Sequence, residues 1–257
     1  MRNKHIDSPQ NATIKSVAKL RTRRGREQQG RIVVDGRREV ERAINQGVTL
    51  ESIFVPEHED VVPESACDTF VVSPRAFEKI ALGPRHDIVA VAKTPSRPLD
   101  HLQLNSTTTI AILESIEKPG NNGAVLRSAD GAGIDAVILI DPVTDLFNPN
   151  AIRSSLGTIF SVPTAVASFA EYREWSTSRD LSHYLARCDQ NAKPYWQADF
   201  ATSCAIVLGS EASGLTDRWD QLPKTESIHI PMRGIADSLN IASSAAILFY
   251  KATEGRC

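Results

Sequence analysis

The sequence predicts an α/β protein with two domains, a smaller N-terminal one and a larger C-terminal one built on a mostly parallel sheet. Two observations support this fold class. Short apolar runs alternate with segments of helical periodicity along most of the chain. A segment rich in proline, serine and polar residues, 93–107, interrupts the alternation. Because 257 residues are many for one core, we expect domains at 1–97 and 108–257, joined by a linker at 98–107.

The N-terminal domain is expected to mix helices and strands. Its spacing and apolar runs predict, in chain order, a helix over 11–30, a strand over 31–36, a helix over 37–47, strands over 50–56 and 68–73, a helix over 74–82 and a strand over 87–93. This order is typical of a small α/β domain.

The C-terminal domain repeats the alternation on a larger scale. Its predicted elements are strands over 109–115, 135–141, 182–188, 203–210 and 227–232, helices over 123–133 and 151–160, and a helix of small residues near the end of the chain. Short apolar runs bounded by turn residues are typical of strands buried on both faces. The sequence therefore predicts a parallel sheet covered by helices, which binds ligands at the carboxyl ends of its strands.

Composition and charge exclude several classes of protein. With 41% hydrophobic and 23% charged residues, the chain is neither disordered, collagenous nor a coiled coil. The net charge of -2 conceals an asymmetry: residues 1–42 hold 12 Lys or Arg and 5 acids, against 17 and 26 in the rest. A basic end favours a polyanionic partner. The alternative, a solvated helix face, is equally compatible with charge alone.

Neither a membrane span nor a metal site is predicted. No apolar run approaches the roughly 18 to 20 residues that cross a bilayer, and the N-terminus lacks the apolar stretch of a secretory signal, so we expect a cytoplasmic protein. The cysteines form no CxxC pair and are expected to be reduced thiols; they are Cys67, Cys188, Cys204 and Cys257. The sequence also lacks HExxH, Walker A and EF-hand motifs.

One segment matches the residue pattern of a dinucleotide-binding fingerprint but not its structural context. Residues 131–136 read GAGIDA, but that fingerprint needs a strand before its glycines and a helix after them. Here the order is reversed, so we interpret Gly131 and Gly133 as the stop of the preceding helix. This excludes a nicotinamide-dependent oxidoreductase.

Three stretches at predicted strand ends are the candidate site. They are ESIEKPGNNGAVLR at 114–127, LGSEASGL at 208–215 and IPMRGIADSLNIASSAAILFY at 230–250. Each has an ordinary structural alternative. Asn121 and Asn122 are typical of turns and helix caps, and Glu211 of a solvated loop. Ser238 or Asp237 can cap the last helix, with Asn240 bonded to nearby backbone.

Together, in this order, these stretches resemble the three motifs of the SpoU class (TrmH family) of SPOUT RNA methyltransferases. The resemblance covers about 106–253, through KPGNNGAVLRSADGAGIDAVIL, IVLGSEASGL and IPMRGIADSLNIASSAAILFYKA. The segment IKSVAKLRTRRGREQQGRIVVDG also resembles the small substrate-binding domain often attached to this family, with Asp35 where the family usually has Glu.

The resemblance implies a fold, a cofactor and an assembly. The fold is a parallel α/β sheet whose end forms a deep trefoil knot, and the assembly is a homodimer formed through the last helix. The cofactor is S-adenosylmethionine, held by backbone and apolar groups; by motif position, its pocket is lined by Leu208, Gly209, Gly214, Leu215, Ile230, Met232 and Leu239. From the residues alone, core packing would be the ordinary role of Ile230, Met232 and Leu239.

The implied reaction transfers the cofactor methyl group to a ribose 2'-hydroxyl of RNA. The matching polar positions are Arg127, Asn121, Glu211, Ser238 and Asn240. The family assigns proton removal to Arg127, but a guanidinium is almost always protonated, so orientation of the hydroxyl or of a phosphate is the alternative.

Ribosomal RNA of the 23S type is favoured over transfer RNA, because an N-terminal substrate domain is present. The residues expected to contact RNA are Lys19, Arg21, Arg23, Arg24, Arg26 and Arg37. The alternatives are a transfer RNA 2'-O-methyltransferase and a non-catalytic RNA-binding protein that keeps the knotted fold.

Overall fold

A computed structural model describes residues 4–59, 62–65, 67–83, 87–105, 107–189 and 192–255. The chain forms two compact units, one of Met1–Ser96 with Phe147–Ser161 and one of Arg97–Leu146 with Val162–Cys257. Arg2, Cys257 and position 106 of the expected linker lie outside the described residues. Among the described residues, no helix has the length and apolar character needed to cross a membrane.

Helices and strands alternate through both units. From the start they are β1 Lys4–Ile6, α1 Ala12–Lys19, α2 Arg23–Gln29, β2 Arg31–Asp35, α3 Arg37–Asn45, β3 Leu50–Pro56, β4 Asp68–Val72, α4 Pro74–Ile80 and β5 Val89–Lys93. They continue as β6 Thr109–Glu114, α5 Pro119–Ala132, β7 Ala136–Ile140, α6 Pro149–Ser154, α7 Thr158–Ser161, β8 Thr164–Ala167, α8 Phe169–Thr177, β9 Ser182–Ala186, β10 Lys193–Pro194, β11 Cys204–Leu208, β12 Thr225–His229 and α9 Ile241–Ala252.

The first unit contains a mixed five-stranded sheet in the order β1-β4-β3-β5-β2. Strands β1, β4 and β3 are parallel, whereas β5 runs antiparallel to both β3 and β2. One core forms where Ile14 of α1 and Phe77 of α4 pack with Phe54 of β3. The expected small α/β domain is therefore present.

The second unit contains a seven-stranded sheet in the order β10-β12-β9-β11-β6-β7-β8, in which every neighbouring pair is parallel. All residues of β6, β7 and β11 are buried, as their largely apolar sequences predict. The predicted parallel α/β architecture is confirmed, and all carboxyl ends of these strands meet at one edge.

A buried histidine lies in the core of this second sheet. His183 of β9 is 2% exposed, and its Nε2 lies 2.8 Å from the Tyr172 hydroxyl, with which it shares a hydrogen bond. Burial disfavours the imidazolium form and lowers the pKa of His183 to about 4. His183 is therefore neutral at pH 7.

Several element boundaries differ from those predicted. The single helix expected over 11–30 is two helices, because Thr22 starts a new one by accepting a hydrogen bond from Gly25 N at 3.1 Å. The helix expected over 151–160 is also divided, since Leu156 and Gly157 have φ of 55° and 85°. Gly133 does end α5, in the left-handed conformation, but Gly131 lies inside that helix.

Segment 147–161 packs with the first unit. Helix α6 lies against β2 and α7 against α3. Arg42 donates a hydrogen bond from Nη1 to the Leu156 carbonyl at 2.9 Å, and Arg153 donates one to the Leu82 carbonyl at 3.0 Å. The sequence bounds had assigned this segment to the C-terminal domain, so the first unit is discontinuous in sequence.

Residues of the expected linker pack into the second unit. Leu99, which begins a short 3-10 turn, and Leu102, which follows it, are 7% and 9% exposed in its core. β1, β8, α8 and β10 are not among the elements predicted from the sequence. Of these, α8 begins with a complete capping box, in which the Ser168 side chain accepts from Glu171 N and the Glu171 carboxylate accepts from Ser168 N.

Candidate active site

The candidate site lies at the carboxyl edge of the parallel sheet, where β6, β11 and β12 end. β6 leads into α5, β11 into the loop 209–215, and β12 into the loop 230–240 before α9. Helices α5 and α9 pack on each other. The three stretches that the sequence singled out therefore meet at one edge of one sheet, as expected for ligand binding.

Helix α5 starts four residues earlier than predicted. Pro119 occupies its first turn, where a missing backbone NH costs nothing. Asn121 and Asn122 consequently lie inside the helix and are neither turn residues nor caps. The loop before α5 begins at Ser115, the residue after β6, which has a φ of 52°.

Asn122 is fully buried without a partner. Its exposed fraction is 0%, and neither its Nδ2 nor its Oδ1 has a hydrogen-bond partner among the residues that the structure describes. It shares the buried stripe of α5 with Val125, Leu126 and Ala129. Apolar side chains usually occupy such buried positions on the core-facing side of a helix.

The loop after β11 closes on itself so tightly that glycine is required. A Cβ atom at Gly209 would lie 2.2 Å from the Gly214 carbonyl carbon and 2.4 Å from Leu215 N. Ser210 and Gly214 exchange two backbone hydrogen bonds, of 2.9 and 3.2 Å, and Gly214 has a φ of 68°. This closed turn presents Glu211 at its tip.

The loop after β12 leaves its backbone groups free. Within the described parts of the chain, residues 230–239 make no backbone hydrogen bond, whereas Asn240 caps α9 by accepting from Ala242 N at 2.9 Å. The cap is therefore Asn240, and neither Ser238 nor Asp237. Ser238 is exposed, and Ile235 is fully exposed.

Two polar contacts connect the three stretches. Asn240 Nδ2 lies 3.4 Å from Asn121 Oδ1 and donates a long hydrogen bond, which joins the start of α9 to the start of α5. Lys118 Nζ lies 3.5 Å from Glu211 Oε2, which joins the start of α5 to the loop after β11. The structure thus brings together Asn121, Glu211 and Asn240, and adds Lys118, which is not among the candidate residues predicted from the sequence.

A buried carboxylate at the same edge joins the end of β6 to the segment after β11. Glu114, the last residue of β6, is 1% exposed and accepts hydrogen bonds from Thr216 N at 3.0 Å and Thr216 Oγ1 at 2.7 Å. Arg218 donates to Glu114 at 2.8 Å through Nε and pairs with Asp141 at 2.7 Å through Nη1. We call Glu114, Thr216, Arg218 and Asp141 the edge network. In the sequence, Glu114 could have been recognised as the one acidic residue at the end of a largely apolar strand.

Arg127 lies apart from this cluster. It is exposed, eight residues after Pro119 and about 9 Å along the helix axis from Asn121. Among the residues described, none forms a hydrogen bond or ion pair with its guanidinium. The structure places Arg127 on the outer surface of α5, roughly two turns in, because the helix starts at Pro119 and not at residue 123 as predicted.

Of the seven positions expected to line a cofactor pocket, six lie in the loops 209–215 and 230–240, and Leu208 ends β11. Leu208 is buried at the end of β11, whereas Leu215, Ile230 and Met232 are half-buried and Leu239 is 37% exposed. Half-exposed apolar side chains beside free backbone groups are typical of a surface that accepts an amphipathic ligand.

Four of the six basic residues expected to contact RNA have protein partners. Arg26 is 4% exposed and donates to the Leu20 carbonyl at 2.7 Å, and Arg21 donates to the Ala81 carbonyl. Arg23 pairs with Glu27 at 2.7 Å, and Arg37 with Glu59 at 2.8 Å. Arg21 and Arg26 therefore act structurally, and Lys19 and Arg24 are exposed and keep charges that a ligand can use.

The all-parallel sheet gathers polar side chains where its central strands end, and α/β proteins of this class bind their ligands at that edge. Residues 108–250 match the SpoU rRNA Methylase family, and residues 11–86 match the MRM3-like substrate binding domain. The chain belongs to the SpoU rRNA methylase family.

Relatives with known names cover nearly the whole chain. The 23S rRNA (guanosine(2553)-2'-O)-methyltransferase RlmP of Bacillus subtilis is 29% identical, over 96% of this chain and 98% of that protein. A crystal structure of an RNA 2'-O ribose methyltransferase is 36% identical with a TM-score of 0.84, over 98% and 99% of the two chains. The SpoU methyltransferase AviRb from Streptomyces viridochromogenes, solved with AdoMet, is 24% identical with a TM-score of 0.87, over 96% and 98%, and shows the same fold.

Proposed function

We propose that this protein uses S-adenosylmethionine to methylate a ribose 2'-hydroxyl in ribosomal RNA of the 23S type. The observation that carries the proposal is the contact between Asn121 and Asn240, which joins two of the three family motifs at the carboxyl edge. The name of the Bacillus subtilis relative supports the choice of 23S rRNA and of a ribose 2'-oxygen.

The loops after β11 and β12 fit the proposed cofactor. Gly209, which has no room for a side chain, keeps the turn closed, and the unpaired backbone groups of 230–239 supply donors and acceptors for an adenosine. Ile230, Met232 and Leu239 provide apolar contact. When bound, S-adenosylmethionine supplies an electrophilic methyl group on its sulfonium.

The polar residues then orient the acceptor ribose. Methyl transfer requires the oxygen, carbon and sulfur atoms to be held in line, so positioning contributes much of the rate. In our proposal Asn121 and Asn240 hold the ribose, Glu211 keeps Lys118 beside it, and Ser238 contributes a hydroxyl from the exposed loop. Arg127, in the site that the dimer proposed below completes, orients the 2'-hydroxyl or its phosphate and does not remove the proton, because a guanidinium stays protonated. As the oxygen–methyl bond forms and the sulfur–methyl bond breaks, the hydroxyl proton passes to solvent water at this exposed edge.

We further propose a homodimer built on the outer faces of α5 and α9. Ser243, Ala246, Ile247 and Tyr250 form one stripe of α9, on the side opposite its buried residues, and are small or apolar. Arg127 lies on the outer surface of α5 and away from its own cluster, which favours a site that a second copy completes. The family resemblance also supports a deep trefoil knot at the end of the sheet and a cytoplasmic location.

In the same proposal, residues 1–97 form the RNA-binding domain and 108–257 the catalytic domain, except that segment 147–161 belongs to the first unit. Lys19 of α1 and Arg24 of α2 are the leading candidates for phosphate contacts, because both are exposed. The ion-paired Arg23 and Arg37 are weaker candidates, since RNA must compete with Glu27 and Glu59 for their charges.

The test incubates the protein with labelled S-adenosylmethionine and either 23S rRNA or total transfer RNA from a strain lacking the gene. We expect label in 23S rRNA, recovered as a 2'-O-methylnucleoside, and its loss in Arg127→Ala and Asn240→Ala. Arg173→Ala is the matched control, because Arg173 is an exposed arginine on α8.

Each other outcome rejects a stated part of the proposal. Label only in transfer RNA overturns the substrate. Label on a base overturns the ribose as acceptor. Absence of both label and cofactor binding overturns the enzyme and favours a non-catalytic RNA-binding protein.

A further inference from the structure

An exposed aromatic side chain lies at the carboxyl edge, outside the three motifs. Trp196 lies in a 3-10 turn, Tyr195–Gln197, immediately after β10, and 48% of its surface is exposed. The other two tryptophans, Trp175 and Trp219, are 7% and 0% exposed. Trp196 is therefore the one tryptophan of this chain that can present its ring to a ligand.

Strand pairing places Trp196 on the same edge as the proposed active site. β10 runs parallel to β12, with Pro194 opposite His229, so Trp196 and the loop after β12 both follow the carboxyl ends of neighbouring strands. Three strand spacings separate β10 from β11, roughly 14 Å. That separation puts Trp196 at the flank of the cofactor loops.

The turn that bears Trp196 is held on both sides. Before it, Lys193 and Pro194 pair with β12, and Lys193 Nζ lies 2.8 Å from Glu226. After it, the Tyr184 hydroxyl donates to the Asp199 carbonyl, and the Tyr184 and Phe200 rings pack with centroids 4.6 Å apart. A ring carried on an anchored turn loses little conformational freedom on binding.

The surroundings of Trp196 suit a nucleobase better than a protein surface. Its one ring neighbour among the described residues is Tyr195, edge-on at 5.3 Å, which leaves an aromatic face open. Pro194, Tyr195 and Ala198 beside it are partly buried, whereas Gln197 and Asp199 are polar and exposed. The exposed apolar surface is therefore centred on the Trp196 ring, which favours a single base over a protein interface. Arg233, exposed in the loop after β12, adds a cation to the same edge.

We infer that Trp196 is a stacking platform for an unpaired base of the RNA substrate, near the nucleotide that is methylated. This inference rests on the proposed function. Single-stranded RNA is recognised by stacking of splayed bases on aromatic side chains, with arginine or lysine on the backbone. Trp196 and Arg233 supply both at one edge of the sheet.

Fluorescence quenching of the full-length wild-type protein tests the contact without relying on activity. Iodide and acrylamide should quench Trp196 selectively, because the other two tryptophans are buried. We expect 23S rRNA from a strain lacking the gene to protect this signal, and S-adenosylmethionine alone to leave it accessible. Protection by the cofactor alone, or protection that rises with protein concentration without RNA, overturns the inference in favour of a cofactor or self-association contact.

Variants then measure what stacking contributes. Trp196→Ala should weaken RNA binding and raise KM for RNA by about 5- to 150-fold, with cofactor affinity unchanged within about twofold. Trp196→Phe, which keeps an aromatic face, should recover most of the affinity. Wild-type affinity and KM in Trp196→Ala overturn the inference while leaving the proposed function intact, whereas failure of the wild-type protein to methylate any RNA rejects the function separately.

Discussion

At the scale of single residues, the unpartnered amide of Asn122 is the least expected feature of the site helix. A buried amide without partners costs about 1–3 kcal/mol in proteins. Asn122→Leu, which is close in shape, should therefore raise the free energy of unfolding by about that amount, measured by urea denaturation, and keep methylation. An unchanged or lower stability would mean that ordered water satisfies Asn122.

Gly209 gives a second prediction at this scale. The Cβ of Gly209→Ala would overlap the backbone of Gly214 and Leu215, so the loop must open. We expect cofactor affinity, measured by calorimetry, to fall at least tenfold, about 1.4 kcal/mol or more. Gly120→Ala is the control, since no atom lies within 4 Å of the added Cβ. Equal affinities in the two variants would contradict the steric account.

The sequence named candidate polar residues but could not tell where their side chains lie. Asn121, Glu211 and Asn240 were found through motifs, and the structure brings them together. Charge alone could not tell that Arg21 and Arg26 donate to carbonyl groups of their own unit while Arg24 is exposed. The distinction depends on which way each side chain points when the predicted single helix breaks at Thr22.

At the scale of elements, the edge network ties β6 to the segment after β11. Removing one partner of a buried ion pair leaves the other charge buried and unpaired, which lowers the free energy of unfolding by about 3–5 kcal/mol. For Arg218→Met we expect the lower end of that range, because Arg218 is partly exposed. Urea denaturation should show that Arg218→Met with Glu114→Gln is less destabilised than the two single changes combined. Simple additivity would contradict direct coupling.

Element prediction succeeded where apolar runs were long and failed where they were short. β6, β7 and β11 were predicted because each contains a continuous run of apolar residues. β8 and β10 have four and two residues, too few to establish a period. α8 could have been found from Ser168 and Glu171, which carry a capping-box pattern in the sequence.

At the scale of the whole molecule, His183 predicts the response to acid. Its pKa is about 4 in the folded protein and about 6.5 when unfolded, so the unfolded chain binds more protons between these values. This contribution to stability is fully present above pH 6.5 and is lost as the pH falls toward 4. Melting temperature should fall across this window, and His183→Gln should flatten the fall. An identical slope in the variant would show that other groups dominate.

The proposed dimer gives the second prediction for the whole molecule. Ile247→Arg places a charge in the outer stripe of α9, and burial of that charge at an interface is unfavourable. We expect a shift from dimer to monomer in light scattering, together with loss of methylation, because Arg127 acts in a completed site. A monomeric wild-type protein, or a dimeric and active variant, would reject this assembly.

The discontinuity of the first unit has a consequence for synthesis. Its segment 147–161 is translated only after the whole stretch 97–146 of the second unit. Until Ser161 leaves the ribosome, the surfaces of β2 and α3 that α6 and α7 cover stay open to solvent. Folding of the first unit is therefore completed late in translation, and a fragment that ends at Ser96 should need a chaperone to stay in solution.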